Sequence, residues 1–294
     1  MEHQSVVSGV VEEIDELGMT PLARELMAAE RAKKRRFAFW TAMVWLGILI
    51  CMAVAFHLVR YDVQFMWDKL GFLLKGIGVT LYISAISIII AVFLALLGAL
   101  GRLSKNPLAN GIASFYVSFI RGTPLLVQIF LVYLGVAQIG RTLQKDYGMQ
   151  TLGGLLILPG VVAGIAALSI NYGAYMTEIF RAGIQSISKG QTEAAYALGM
   201  TPAQTLRRII LPQAIRVVIP PIGNEFIAMI KDSSLVSVTG AVWDLTFRAQ
   251  KLGRQYFKSL EMLTVAALIY WVMCITLQGL QGQLEEYMAR GERK

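Results

Sequence analysis

The chain has 294 residues, of which 56% are apolar and 16% charged, against roughly 45–50% and about 25% in an ordinary soluble domain. With a mean hydropathy of +0.58, these proportions exclude a soluble globular protein and a disordered one, and define a polytopic membrane protein. The net charge of +8 comes without the aromatic-interleaved basic runs that single-strand binders need, so it reads as positive-inside bias and not as a nucleic-acid surface.

Residues 1–36 form a separate segment that begins acidic (Glu12, Glu13, Asp15, Glu16) and ends basic (Arg31, Lys33, Lys34, Arg35, Arg36). Thr20-Pro21 reads as an N-cap and first helical residue, which predicts a short surface helix over 21–36. The first span is about Phe37 to Val59. A cleaved signal peptide competes for this run, since Ala53-Val54-Ala55 resembles a cleavage site. The long preceding segment and the length of the run favour a retained anchor. Five further spans are expected at about 70–100, 112–139, 153–180, 214–240 and 261–281, giving an all-α fold of six transmembrane helices in lipid. An inside N-terminus puts 101–110, 181–213 and the tail 282–294 in the cytoplasm. These segments, residues 1–36 and Arg216 then hold sixteen of the 27 Lys and Arg, against eight outside. The last external segment, with Arg248, Lys251, Arg254 and Lys258, is more basic than the rule prefers.

Cys51 and Cys274 lie in apolar runs and read as small hydrophobes, and His3 and His57 are too isolated to build a metal site. Small residues at Gly71, Gly76 and Gly78, then Gly98 and Gly101, either permit close helix approach or are ordinary span composition.

The loop 189–212, KGQTEAAYALGMTPAQTLRRIILP, carries the most local instruction. Gln191 to Leu198 is a good helix former that ends at Gly199, a residue suited to the left-handed cap position. Thr201 can cap a second helix with Pro202 in its first position, and Pro212 is expected to limit that helix. A bare tether needs no such punctuation. The loop has the form of a docking element, with small Ala194 and Ala195 admitting a partner surface and Glu193 available to a partner's base.

Glu193-Ala194-Ala195, Gly199, Ile209 and Leu211-Pro212 at these spacings resemble the EAA loop of bacterial ABC-importer permeases. The resemblance widens to the polar amino acid permease family through Phe119 to Gln128, through Asn171-Tyr172-Gly173-Ala174-Tyr175 with Glu178 and Arg181, and through Lys231-Asp232-Ser233-Ser234-Leu235. It covers about 70–281 and implies a five-helix permease core, with 37–69 as an extra N-terminal helix and linker. It also implies alternating access and three partners: a separate ABC ATPase dimer that binds ATP and Mg, a second permease subunit (identical or not), and an extracytoplasmic amino-acid-binding protein. The chain has no Gly-Lys-Ser or Gly-Lys-Thr of a phosphate-cradling loop, so no cofactor is expected in it and no catalytic residue.

Ionisable residues inside a span are functional candidates by default. Glu225 and Asp232 are seven apart and project within about 20° of each other on a helix, with Asn224 and Ser233 beside that face. Pro220, Pro221 and Gly223 suggest irregular backbone next to a cavity. Either this stripe faces the translocation path and receives the cationic part of an amino acid, or Lys231 and Asp232 neutralise one another and Glu225 pairs with a neighbouring helix. Arg121, Thr123 and Gln128 form a second polar set, with Arg121 read as structural. Asn171, Tyr172 and Glu178 are ambiguous, and Glu178 can simply pair with Arg181. Outside the amino-acid reading stand a permease for another small polar solute, an ion-coupled secondary transporter, which would have no use for the docking loop, and an intramembrane enzyme, for which only Lys231 beside Ser233 and Ser234 speaks.

Overall fold

The computed structural model describes residues 21–290, and all regular structure among them is helical. They fall into two units, residues 21–62 and 63–290. The first unit is a single helix, α1 (Pro21–Val59). The surface helix and the first span are therefore one continuous element. No proline or glycine separates them, and the basic run between them consists of good helix formers. Glu30 and Lys34 pair at 3.4 Å one turn apart, in the favourable order along the axis. Thr20 and the acidic stretch lie outside the described residues.

The second unit opens with α2 (Val63–Leu103), longer at its start than the expected span. Asn106 caps α3 (Pro107–Arg121) by accepting the Leu108 N–H at 2.9 Å. The expected span over 112–139 is interrupted: after α3 the chain breaks at Gly122-Thr123-Pro124 and resumes as α4 (Leu125–Tyr147), which contains a π turn at Leu131–Gly135. Proline removes an N–H and bars the preceding residue from helical geometry. The span over 153–180 is likewise divided, into α5 (Gln150–Leu156) and α6 (Gly160–Gln185), bent by 69° ahead of which Pro159 is extended (ψ 146°). The coupling-loop helices α7 (Lys189–Ala197) and α8 (Pro202–Thr205) lead through a π turn at Leu206–Ile210 into α9 (Leu211–Asp232). A 3₁₀ segment (Ser233–Thr239), α10 (Leu245–Tyr256) and α11 (Ser259–Arg290) complete the chain.

Among the described residues, α1, α2, α4 and α11 are long and apolar enough to cross a membrane, and the bent α5–α6 pair makes a fifth. The sixth expected span, α9, falls below that standard because Arg216, Glu225, Lys231 and Asp232 lie within 22 residues. The fold is an all-α polytopic one.

Lipid tails are as apolar as leucine, so close packing must hold such helices together. The buried line Ala91, Ala95 and Ala99 on α2, with Ser84 and Ser87, brings α6 near. A Cβ on Gly98 would collide with Thr177 of α6, and one on Gly76 would lie 2.6 Å from the Leu245 Cα. Gly71 and Gly78 have no such neighbour. The α2–α6 core continues through Leu168, Met176, Met229 and Val236. A second cluster, Leu73, Leu245, Ala249, Met262 and Ile269, seats α10 against α2 and α11. The basic segment after residue 240 thus contains a packed helix, which charge counting had not shown. Asp244, fully buried, starts it by accepting the N–H groups of Thr246 (3.2 Å) and Phe247 (3.0 Å). Burial pushes its carboxyl up to about 6, against the opposing effect of those N–H groups and of Arg248.

Candidate functional site

Two regions carry the residues singled out above, and α9 joins them. In the loop, α7 ends where Gly199 takes φ +76°, a left-handed conformation that a β-branched residue adopts only with strain. Thr201 and Gln204 then form a reciprocal capping box: the Gln204 N–H donates to Thr201 Oγ1 (3.3 Å) and the Thr201 N–H to Gln204 Oε1 (2.9 Å). Pro212 does not limit the second helix. The π turn directly before it accommodates the missing N–H, and the chain stays helical from Pro202 to Asp232.

Glu193 and Ala194 are exposed on α7. Ala195 is turned inward and 3% exposed, so it closes the packing within the loop instead of meeting a partner's surface, as was expected of it. Ile209 and Leu211 are half-buried and Pro212 is exposed. Leu211 lines an apolar cavity of about 300 Å³ with Val92, Leu96, Phe180, Val218 and Ile222, so the start of α9 faces a space bordered by α2 and α6.

Along α9, Pro220 and Pro221 do not disturb the helix. The irregular backbone comes after the acids, in the 3₁₀ segment, and not before them. Without N–H groups on these prolines, the Arg216 and Val217 carbonyls lose their helical donors, and Gln281 of α11 donates to the Pro220 carbonyl at 3.2 Å. Asp232 is half-buried and accepts the Tyr172 hydroxyl of α6 at 2.9 Å. Glu225 is half-buried on the same side and Asn224 is exposed. Ser233 leaves the stripe: it is fully buried and donates to the Ile230 carbonyl at 2.7 Å, because one residue past Asp232 turns it about 100° into the core. Lys231 and Asp232 do not neutralise each other. Asp232 turns to Tyr172, while Lys231 borders a different cavity beside α11.

The second polar set is a closed network. Gln128 Nε2 donates to the Ile120 carbonyl (2.8 Å), the Thr123 carbonyl (3.1 Å) and Thr123 Oγ1 (2.8 Å), while its Oε1 accepts from Asn171 Nδ2 (2.9 Å). These bonds satisfy the carbonyls freed by the break between α3 and α4. Arg121 stacks 5.1 Å from the Tyr175 ring. Glu178 pairs with Arg181 at 2.8 Å and with Arg102 of α2 at 3.2 Å. Neither cross-helix partnership, Tyr172 with Asp232 nor Asn171 with Gln128, was readable from spacing, since each joins segments dozens of residues apart.

One helical rod thus joins a punctuated, exposed loop to a polar face bearing Glu225 and Asp232. Residues 87–290 match the family described as binding-protein-dependent transport system inner membrane component. The L-cystine transport system permease protein TcyB of Bacillus subtilis (strain 168) is 40% identical over 239 residues, covering 81% of this chain and 93% of the relative. The arginine transport system permease protein ArtQ of the same organism is 38% identical over 209 residues, covering 71% and 89%. Among solved structures, an amino acid ABC transporter crystallised with histidines matches with a TM-score of 0.66 and 38% identity over 77% of this chain and 99% of that one. The inward-facing MetNI methionine ABC transporter shares the fold alone, at a TM-score of 0.60 and 18% identity, over 75% of this chain and 98% of that one.

The chain belongs to the family of binding-protein-dependent transport system inner membrane components. It is a multipass permease component of such a transport system.

Proposed function

We infer that this chain is the permease subunit of an ATP-driven importer of polar amino acids. The observation that carries the reading is the helical continuity from Pro202 to Asp232. At about 1.5 Å per residue, a rod on the order of 45 Å links the exposed loop to the acid-bearing face. In this reading the cytoplasmic α7–α8 hairpin sits in a groove of a separate ATPase dimer, with Glu193, Ala194 and Gly199 at the contact. Ala195, Ile209, Leu211 and Pro212 hold the hairpin to the rod. When the ATPase subunits close on ATP and Mg, the hairpin moves, and the rod carries that displacement to Glu225 and Asp232. The face changes access from one side of the membrane to the other. Glu225 and Asp232, with Asn224 beside them, receive the cationic part of an amino acid delivered by an extracytoplasmic binding protein. A second permease subunit completes the complex, and both termini of this one lie in the cytoplasm.

The relatives' amino-acid substrates and the intramembrane acids support an amino acid over other small polar solutes. The test is reconstitution: the chain is co-expressed with its ATPase, the bound subunits and small molecule are identified by mass, and uptake is followed in proteoliposomes. Uptake that requires ATP hydrolysis and is lost in Glu193→Lys agrees with the reading. Uptake that proceeds without ATP refutes it in favour of a secondary transporter.

A further inference from the structure

We propose that α1 is a binding element for anionic phospholipids, holding a shell of their headgroups in the leaflet at its N-terminal side. This helix precedes residues 87–290, the part matched by the family, and its lipid binding does not depend on the importer reading.

The density of cations next to the apolar run carries the proposal. Arg31, Lys33, Lys34, Arg35 and Arg36 take five of six consecutive positions, and all five are helical and exposed. At 100° per residue they project at about 0°, 200°, 300°, 40° and 140°. Neighbours around the axis are thus no more than about 100° apart, and the whole set rises over only about 8 Å. The result is a belt of positive charge encircling the helix at one height. Orientation in the membrane asks only for an excess of cations on one side of a span, which scattered ones satisfy. Nowhere else in the chain do more than two Lys or Arg adjoin. A protein partner meets one face of a helix and leaves the cations of the opposite face unused. Headgroups surround a spanning helix and occupy the whole belt.

The height of the belt fits the same partner. Phe37–Val59 rises about 34 Å, against about 30 Å of hydrocarbon, and the headgroup layer takes up roughly the next 5–8 Å on each side. With the apolar run filling the hydrocarbon, residues 31–36 fall in that layer. Phe37, Phe39 and Trp40 form the next turn and are exposed, and the Phe39 and Trp40 rings meet edge-on at 6.1 Å. Such aromatic residues mark the boundary between headgroups and tails. Belt and span are one continuous helix, so the apolar run fixes the height of the cations, which a flexible tether would not do. Of the five, Lys34 alone is in an ion pair among the described residues, with Glu30. The charge of the others is left for lipid phosphates, and clusters of this size beside a span attract anionic leaflets. At the opposite end the helix is followed by a single cation, Arg60.

The test uses the full-length chain, purified with its co-expressed ATPase, in nanodiscs of mixed phosphatidylglycerol and phosphatidylcholine. Either lipid in turn carries a photoreactive group beside its phosphate, and peptide mass spectrometry locates the cross-links. The expected result is that the stretch 28–40 takes phosphatidylglycerol over phosphatidylcholine by about tenfold or more, that the Arg60 end shows far less preference, and that rising salt brings the ratio toward parity. Lys33→Gln/Arg35→Gln/Arg36→Gln should lower the preference about fivefold, and Arg31→Lys/Arg35→Lys/Arg36→Lys should keep it. Neutralising the belt can also turn α1 round in the membrane, so the salt titration of the unaltered chain supplies a reading that needs no variant. Equal cross-linking of the two lipids in the unaltered chain overturns the proposal, as does a preference that neither salt nor neutralisation reduces. An absence of lipid cross-links at 28–40 gives the belt to a protein subunit and overturns it as well. A preference that inorganic phosphate abolishes at matched ionic strength assigns the belt to a soluble anion, with the same consequence.

Discussion

Two polar clusters lie within the helical bundle, and they are built in opposite ways. Gln128 has both ends of its amide engaged: its Nε2 donates three ways at the α3–α4 break and its Oε1 accepts from Asn171, and Gln128 is 6% exposed. Around Asp232 the bonding is incomplete. One hydroxyl reaches it, Glu225 is half-buried without an ion pair among the described residues, and Asn224 and Lys231 are open. Buried polar groups that are fully matched repair the backbone and fix the fold. Polar groups held at an open face and only partly matched keep bonding capacity for something that comes and goes. The contrast separates polarity spent on the protein's own backbone from polarity left available to a ligand.

The largest effect should come from breaking the closed cluster. Gln128→Leu removes the side-chain donor to the Thr123 carbonyl and the acceptor of the Asn171 amide, while the Ile120 carbonyl keeps its bonds from Thr123; each group left unsatisfied costs roughly 1–3 kcal/mol. A loss of about 2–4 kcal/mol in stability should appear as a lower unfolding midpoint, with substrate affinity unchanged in the folded fraction. Asp244 is a second closed case and has a pH signature. Its carboxyl titrates higher when folded than when unfolded, so the folded state binds the extra proton and stability falls as pH rises from about 4 to about 6. Asp244→Asn keeps a capping oxygen and should flatten that slope, whereas Asp244→Ala should cost about 1–2 kcal/mol at pH 5. Unfolding midpoints across this range read both.

The open cluster should respond in the other way. Asp232→Asn should leave the unfolding midpoint within error and weaken substrate-stimulated ATP hydrolysis about tenfold or more, equivalent to roughly 1.4 kcal/mol. The smallest effect is expected for Tyr172→Phe, which removes one hydrogen bond worth about 1 kcal/mol and should shift half-maximal stimulation about fivefold. A stability loss without an affinity change in either variant would move this cluster to the structural kind.

The sequence made some of this plain and hid the rest for definable reasons. The loop's turn chemistry at Gly199, Thr201 and Pro202 was legible because capping is decided within a few residues. Four of the six expected spans, and a fifth as a bent pair, were legible because hydropathy is additive along a segment, whereas the charges on α9 keep it below that standard. The breaks at Gly122–Pro124 and Pro159 carried a visible proline signal, but an apolar run around a proline does not say whether the helix bends, breaks or tolerates it. Pro220 and Pro221, which promised irregularity, sit within unbroken helix where Gln281 serves one of the nearby carbonyls. Ser233 was assigned by nearness in sequence to Asp232, although one residue of rotation places it in the core. The partners Tyr172 and Asn171 depend on how α6 lies against α4 and α9, which no local pattern encodes.

The most direct test of the central claim, that the hairpin drives the polar face through one rod, is to measure ATP hydrolysis and amino acid uptake together in proteoliposomes containing Gly199→Val or Glu193→Lys. The account predicts that both variants insert and bind substrate like the unaltered complex, while uptake falls to background and hydrolysis no longer responds to substrate. Full uptake with retained ATPase binding in both variants would contradict it.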